Sequence, residues 1–398
     1  MNLNAVPSGE RVHIGFFGCR NAGKSSLVNA VTGQQLAIVS DIRGTTTDPV
    51  LKAMELLPLG PVVIIDTPGF DDDGTLGELR VKRTRDTLGR SDMAVLVIDG
   101  TVGFTDADRE LHAMFLERDI PFIIAWNKSD LPEALPPEMD AFPVSAVTGM
   151  NVDEFKERLA RIVPSGSGRQ LVGDLISPGD ATILVCPIDE SAPKGRLILP
   201  QQQTIRDILD RGAVPLVTKE TELARALELL AAPPAIVITD SQAFKVVSEI
   251  VPDEIPLTSF SILMARYKGF LHAAVEGAGA IRNLKEGDRI LLAEGCTHHR
   301  QCNDIGTVKI PRLIRKTTGF DPVIETVSGR DFPDDVTPYR LVIHCGACMI
   351  TEQAVRERMQ RAVSQGVPFT NYGIAIAQMT GILERSLRMF PDLHAMIV

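Results

Sequence analysis

The sequence predicts an α/β chain of three successive domains over residues 1–165, 173–260 and 261–398: a phosphate-loop α/β fold, a small parallel α/β domain and a further α/β domain. Three observations predict it. Short unbroken apolar runs, such as Val62–Ile65 and Met93–Ile98, alternate with amphipathic stretches, as strands covered on both faces do. The run that ends at Phe17 passes directly into a glycine-rich loop and then a helix. Four of the six cysteines lie between Cys296 and Cys348, next to two further apolar runs. Pro164-Ser165-Gly166-Ser167-Gly168 reads as the linker after the first domain.

A chain of 398 residues with 44% apolar content has material for several cores. The net charge of −10 argues against broad nucleic-acid binding. No stretch approaches the roughly 18 consecutive apolar residues of a membrane helix, so no membrane partner is expected. Residues 1–10 lack a basic segment followed by an apolar one, and no secretory signal is read there. The cysteines are then expected as reduced thiols or ligands in a cytoplasmic protein.

In the first domain, Arg11–Phe17 reads as a buried strand. Gly18-Cys19-Arg20-Asn21-Ala22-Gly23-Lys24-Ser25 is a complete phosphate-loop pattern. Its glycines let backbone amides close round the phosphates, Lys24 reaches the terminal phosphates, and the Ser25 hydroxyl binds Mg²⁺. Ser26–Thr32 continues as a helix whose N-terminus faces the anion. In the polar stretch Gly44-Thr45-Thr46-Thr47-Asp48, Thr46 is expected to close on Mg²⁺ and the γ-phosphate, with Thr45 as the alternative. Val62–Ile65 ends in Asp66-Thr67-Pro68-Gly69. Asp66 stands where a carboxylate behind the Mg²⁺ is needed, and the Gly69 amide can contact the γ-phosphate. Pro121–Ala125 leads into Asn127-Lys128-Ser129-Asp130. An Asp that accepts two hydrogen bonds from a guanine edge rejects adenine, which would leave it unpaired. Ser145 and Ala146 complete the base pocket. The ordered set predicts GTP and GDP binding with Mg²⁺, and hydrolysis through Lys24, Thr46, Asp66 and Gly69. Phe70 follows Gly69 and has no polar atom to orient water, so slow intrinsic turnover is expected. Asp71-Asp72-Asp73 reads as a solvated loop and Cys19 as a small residue tolerated in its loop.

Over residues 11–163 these motifs resemble the Era-like GTPases, especially the tRNA-modification group with Asn-Ala-Gly-Lys-Ser-Ser and Gly-Thr-Thr. The resemblance implies that Asn21 helps hold K⁺ beside the phosphates and that K⁺ stimulates hydrolysis. On its residue type alone, Asn21 equally suits a loop-capping amide.

The middle domain alternates strands at Ala181–Pro187, Val214–Val217 and Ala235–Thr239 with helices at Gln203–Arg211, Glu220–Leu230 and Ser241–Ile250. It has no phosphate loop, no second Walker lysine and no paired carboxylates with a clear role, and Asp189, Glu190 and Asp240 read as caps. Cys186 reads as a buried thiol. A docking or dimerisation module is expected.

In the last domain, helices are expected at Phe260–Val275, Ile350–Ser364 and Tyr372–Met389, and strands at Asp288–Ala293 and Leu341–Ile343. Cys296 and His298 follow the first strand, and His344-Cys345-Gly346-Ala347-Cys348 follows the second. Cys348 is expected at a helix N-terminus, whose dipole favours thiolate. Spacing alone leaves three readings open. These are structural zinc on four cysteines, a cluster on Cys296, Cys345 and Cys348, and a redox pair of Cys345 and Cys348. His298 and His344 flank these thiols as exchangeable or supporting donors, and Cys302 has no firm role.

The combination of a GTPase, a middle α/β domain, Cys-x-His, an interval of 45 residues and His-Cys-x-x-Cys resembles the [FeFe]-hydrogenase maturation GTPases over essentially the whole chain. The resemblance implies a [4Fe–4S] cluster on Cys296, Cys345 and Cys348 with a labile fourth position. It also implies a homodimeric scaffold that completes a dinuclear iron precursor and hands it to apo-[FeFe]-hydrogenase. The two radical-SAM maturases, HydE and HydG, are the implied upstream partners.

Overall fold

The computed structural model describes residues 11–33, 50–67, 69–70, 81, 84–162, 170–188, 197–295, 305–329 and 331–397. Thr45, Thr46, Asp71–Asp73, Asp189, Glu190, Cys296, His298, Cys302 and the linker Pro164–Gly168 lie outside the described residues. The chain divides into two compact units, Met1–Gly168 and Arg169–Val398. No described helix is long and apolar enough to cross a membrane.

The first unit holds a six-stranded sheet of β1 (Val12–Phe17), β2 (Val50–Leu56), β3 (Gly60–Asp66), β4 (Met93–Asp99), β5 (Phe122–Asn127) and β6 (Phe142–Pro143). The strand order is β2-β3-β1-β4-β5-β6, with only β2 antiparallel to its neighbour. Helices cover both faces, so β4 needs apolar residues at every position rather than at alternate ones. Val95 and Val97 join Ile14, Leu27 and Phe155 on one face, while Ala94, Leu96 and Ile98 join Phe17, Phe115 and Trp126 on the other. The helix Asp106–Glu117 is opened by a capping box between Thr105 and Asp108.

The second unit holds two four-stranded, all-parallel sheets. One contains β7 (Ala181–Val185), β8 (Val214–Thr218), β9 (Ile236–Thr239) and β10 (Leu257–Ser259). The other contains β11 (Arg289–Glu294), β12 (Val323–Ser328), β13 (Leu341–His344) and β14 (Phe369–Asn371). Both have the same order: the first strand lies between the second and third, and the fourth flanks the third. Each fourth strand runs without a loop into a helix, Phe260–Tyr267 or Tyr372–Thr380, capped by the side chain of Ser259 or Asn371. Pro256-Leu257-Thr258-Ser259-Phe260-Ser261-Ile262 thereby matches Pro368-Phe369-Thr370-Asn371-Tyr372-Gly373-Ile374. A single apolar cluster runs through both sheets, joining Ile183, Val237 and Phe244 to Leu271, Val342 and Ile374.

Several expected elements are corrected. The helix expected over Phe260–Val275 is two helices, Phe260–Tyr267 and Leu271–Ala278, because Gly269 takes a left-handed φ of 73°. The helix expected over Tyr372–Met389 also breaks, at Gly381 with φ 77°, and continues as Leu383–Leu387. The helix expected from Ile350 begins at Glu352, where Thr351 accepts the Ala354 amide as its cap. Strands β2, β6, β10, β12 and β14 have no counterpart among the expected elements. Two of them have three residues each, too few to show a period.

Candidate functional site

In an open parallel sheet, the crevice forms where consecutive connections leave a strand in opposite directions. In the first unit, β1 lies between β3 and β4, so the crevice opens beyond its C-terminal end. The phosphate loop is built there. Gly18 has φ 145°, and a Cβ on it would lie 2.3 Å from the Val97 carbonyl oxygen. Gly23 has φ 88°, and a Cβ there would lie 2.2 Å from Asn127 Nδ2. Both positions therefore require glycine. Lys24 is buried, and its Nζ donates to the Gly18 carbonyl at 3.0 Å and the Cys19 carbonyl at 2.7 Å. Its ammonium is thus held within the loop that receives phosphates.

Ser25 donates to Asp66 Oδ2 at 2.8 Å. Asp66 Oδ1 is buried and has no hydrogen-bond partner among the described residues. An orphaned carboxylate oxygen beside a hydroxyl is a fitting second sphere for a hydrated Mg²⁺. Burial raises the Asp66 pKa, outweighing the Ser25 hydrogen bond and the Lys24 charge, and a bound cation would reverse that penalty. Gly69 packs against Arg20, whose backbone leaves only 3.0 Å for a Cβ. Asn21 is exposed at φ 59°.

The base side is tied to the phosphate side by Asn127. Its Nδ2 donates to the Ala22 carbonyl at 2.9 Å, and its Oδ1 accepts the Ala146 amide at 3.0 Å. Ser145 is fully buried, and its hydroxyl accepts the Thr148 amide at 3.1 Å, which shapes the second base loop. Lys128 pairs with Asp99. Burial opposes ionisation of Asp99, but Lys128 and Thr101 prevail and hold its carboxyl below the usual range. Asp130, at the end of the segment Asn127-Lys128-Ser129-Asp130, is exposed. Thus Gly18, Ala22, Gly23, Lys24, Ser25, Asp66, Asn127, Ser145 and Ala146 converge on one crevice.

In the second unit, β11 lies between β12 and β13, so a crevice is expected beyond the C-terminal ends of β11 and β13. Ala293 pairs with His344, so the two strands finish side by side. Cys345 immediately follows β13, and its amide donates to the Ala293 carbonyl at 2.8 Å. The Gly295 amide, one residue before Cys296, points at Cys345 Sγ at 3.1 Å. An N–H aimed at sulfur suits a thiolate ligand. Cys345 and Cys348 are partly buried free thiols on one turn. Two soft donors and an N–H beside them fit a thiophilic metal or cluster. No group of three metal-binding side chains is assembled among the described residues.

The thiols differ from the sequence expectation in their electrostatics. Cys348 lies in the turn before Thr351 and not in the helix. Burial pushes both thiols up, outweighing the Gly295 amide at Cys345 and the Lys268 charge at Cys348. His344 points to the other side of its strand from Cys345 and is fully buried against Phe369. Its Nδ1 donates to the Cys345 carbonyl at 2.8 Å, and its Nε2 accepts from Arg358 at 3.0 Å. A carbonyl can only accept and a guanidinium only donate, so the partners fix the tautomer. Burial, then the Arg358 charge, lowers the His344 pKa to about 3. Both ring nitrogens are engaged, so His344 in this arrangement braces the Cys345 backbone.

Sequence reasoning missed Lys268, which grips this turn, and Arg358, which ties the strand ends beside it. Lys268 reaches across 79 residues to Ala347, and no local pattern signals such a contact.

Residues 13–128 match the family of 50S ribosome-binding GTPases. Residues 171–269 match the hydrogen maturase F dimerization domain, and residues 272–389 match the hydrogen maturase F tetramerization domain. The tRNA modification GTPase MnmE of Synechococcus sp. (strain JA-3-3Ab) is 38% identical over 161 residues, 39% of this chain and 34% of that protein. GTPase Der of Wolinella succinogenes is 30% identical over 184 residues, 42% of this chain and 38% of that protein. The chain spans about a third of the length of these curated relatives. A solved structure of Aquifex aeolicus Era bound to GDP and aluminium fluoride is 20% identical, covering 55% of this chain and 98% of that one at a TM-score of 0.35. The first unit is a GTPase domain, and with both maturase domains following it in order, the chain belongs to the hydrogen maturase F (HydF) family.

Proposed function

We propose that the chain is a GTP-hydrolysing scaffold in the cytoplasm that binds a [4Fe–4S] cluster. On it a dinuclear iron precursor is assembled and then delivered to apo-[FeFe]-hydrogenase. The observation that carries this reading is the pair Cys345 and Cys348, presented at the β11–β13 crevice within a segment that matches a hydrogen maturase F domain. Cys296, Cys345 and Cys348 hold the cluster, which supplies an iron with an open position for exchangeable ligands. The Gly295 amide and the His344–Arg358 pair orient Cys345.

In the first unit, Lys24 and Mg²⁺ neutralise phosphate charge, Ser25, Thr46 and Asp66 organise the metal, and the Gly69 amide meets the γ-phosphate. Asn21 supports K⁺ beside the phosphates. Asp130 selects guanine, with Asn127, Lys128, Ser145 and Ala146 shaping its pocket. The protein acts as a homodimer through residues 173–260 and receives precursor from the two radical-SAM maturases, HydE and HydG. GTP and GDP states change its contacts with these partners.

Anaerobic iron, sulfide and zinc analysis with EPR tests the cluster. Iron and sulfide with a signal that shifts on adding an exogenous ligand is expected. Stoichiometric zinc without iron would overturn it and favour a second reading, an RNA-modification GTPase with structural zinc. That reading is favoured by the identity of the first unit to tRNA modification GTPases. Transfer of iron to apo-hydrogenase, but not to an unrelated apo-ferredoxin, separates this scaffold from a general iron–sulfur carrier.

A further inference from the structure

Lys268 follows the helix Phe260–Tyr267 and is only 4% exposed. Its Nζ donates to the Ala347 carbonyl at 2.5 Å and the Ile350 carbonyl at 2.6 Å. These carbonyls lie on either side of Cys348 in the sequence. Ala347 has φ 56°, a left-handed conformation that a residue with a Cβ rarely adopts without support. The ammonium supplies that support by bridging the carbonyls of Ala347 and Ile350.

A second cation approaches from the helix Glu352–Ser364. Arg358 donates to the Glu294 carbonyl at 3.4 Å, the Gly329 carbonyl at 2.5 Å and His344 Nε2 at 3.0 Å. It therefore ties together the ends of β11, β12 and β13. Arg358 fixes the strand ends, while Lys268 fixes the turn itself. Burying an ammonium carries a large desolvation penalty, and a methionine could occupy similar volume without one. A charge retained beside two thiols suits a site that becomes anionic when filled.

We propose that Lys268 is a positioning residue for the Cys345–Cys348 turn and a fixed positive charge that raises the reduction potential of a cluster bound there. The proposal rests on the cluster reading above. Thiolate ligands leave such a cluster anionic, and each added electron makes it more so. A nearby fixed cation therefore stabilises the reduced form more than the oxidised form.

The test uses the full chain, reconstituted anaerobically, as wild type, Lys268→Met and Lys268→Arg. Potentials are poised with dithionite as electron donor, and the reduced fraction is read by EPR. Lys268→Met is expected to retain a cluster with a reduced-to-oxidised ratio about tenfold lower at a fixed potential, or about 59 mV for one electron. Lys268→Arg keeps the charge and is expected to stay within about twofold of wild type. In metal-free protein, maleimide labelling of Cys345, mapped by mass spectrometry, is expected to accelerate about tenfold in Lys268→Met. Slow labelling of buried Cys186 reports that the variant is folded; if it labels fast, Lys268→Gln carries the same decision. An unchanged potential with unchanged thiol labelling would overturn the proposal. Wild type that holds zinc and no iron would instead overturn the cluster reading, and the labelling arm would still decide whether Lys268 positions the turn.

Discussion

At the residue scale, chemistry is concentrated in a few side chains with identifiable partners. Asp130 is exposed, and in its proposed role two charge-assisted hydrogen bonds at about 1.5–3 kcal/mol each would distinguish guanine. Asp130→Asn is expected to weaken GTP binding by roughly 10²–10⁴-fold and to improve xanthosine triphosphate binding, read by titration with both nucleotides. Asp66→Asn keeps the shape but removes the carboxylate that accepts from Ser25 and is proposed to stand behind Mg²⁺. Hydrolysis is expected to fall by about 10²-fold or more, with a higher Mg²⁺ requirement in steady-state assays. Cys186 is pushed up to about 12 by burial and the nearby Asp240. It is expected to resist iodoacetamide at pH 8 in native protein and to react once the protein is unfolded. The phosphate loop was legible in sequence because a glycine pattern encodes backbone geometry directly. Lys268 and Arg358 were not legible, because their partners are carbonyls, which every residue carries.

At the element scale, the strands that could be read were those buried on both faces. Met93–Asp99 is continuous apolar sequence until its last residue, so its sequence shows its environment. β12, Val323–Ser328, pairs with a neighbour on only one side and mixes Glu325 and Thr326 with apolar residues, which conceals it. The two broken helices were misread because their apolar spacing resumes after Gly269 and Gly381. Only the glycine φ values reveal the breaks. Helix packing also constrains Gly277, where a Cβ would lie 2.1 Å from the Phe369 carbonyl oxygen. Gly277→Ala should force the helix Leu271–Ala278 away from β14 and cost about 3 kcal/mol, measured by chemical denaturation. If stability were unchanged, this close packing would be wrong.

At the scale of the whole molecule, the second unit contains two sheets that share one apolar cluster, with a further cluster on the far side of each. Val237 and Phe244 belong to the same apolar cluster as Val342 and Ile374. Residues 169–398 are therefore expected to unfold in one calorimetric transition, whereas a fragment of residues 169–269 would expose that shared surface and aggregate. A separate, stable transition for the shorter fragment would contradict this. The two sheets also share a strand order and the paired segments Pro256–Ile262 and Pro368–Ile374. Their equivalent positions meet, since a Cβ on Gly373 would lie 2.2 Å from that of Ser261. This is how two copies meet across a twofold axis. The two halves of the second unit thus repeat one architecture and face each other through matching helix starts. In this correspondence Cys345 stands where the first sheet has Asp240, so the same strand end carries a carboxylate in one sheet and a thiol in the other.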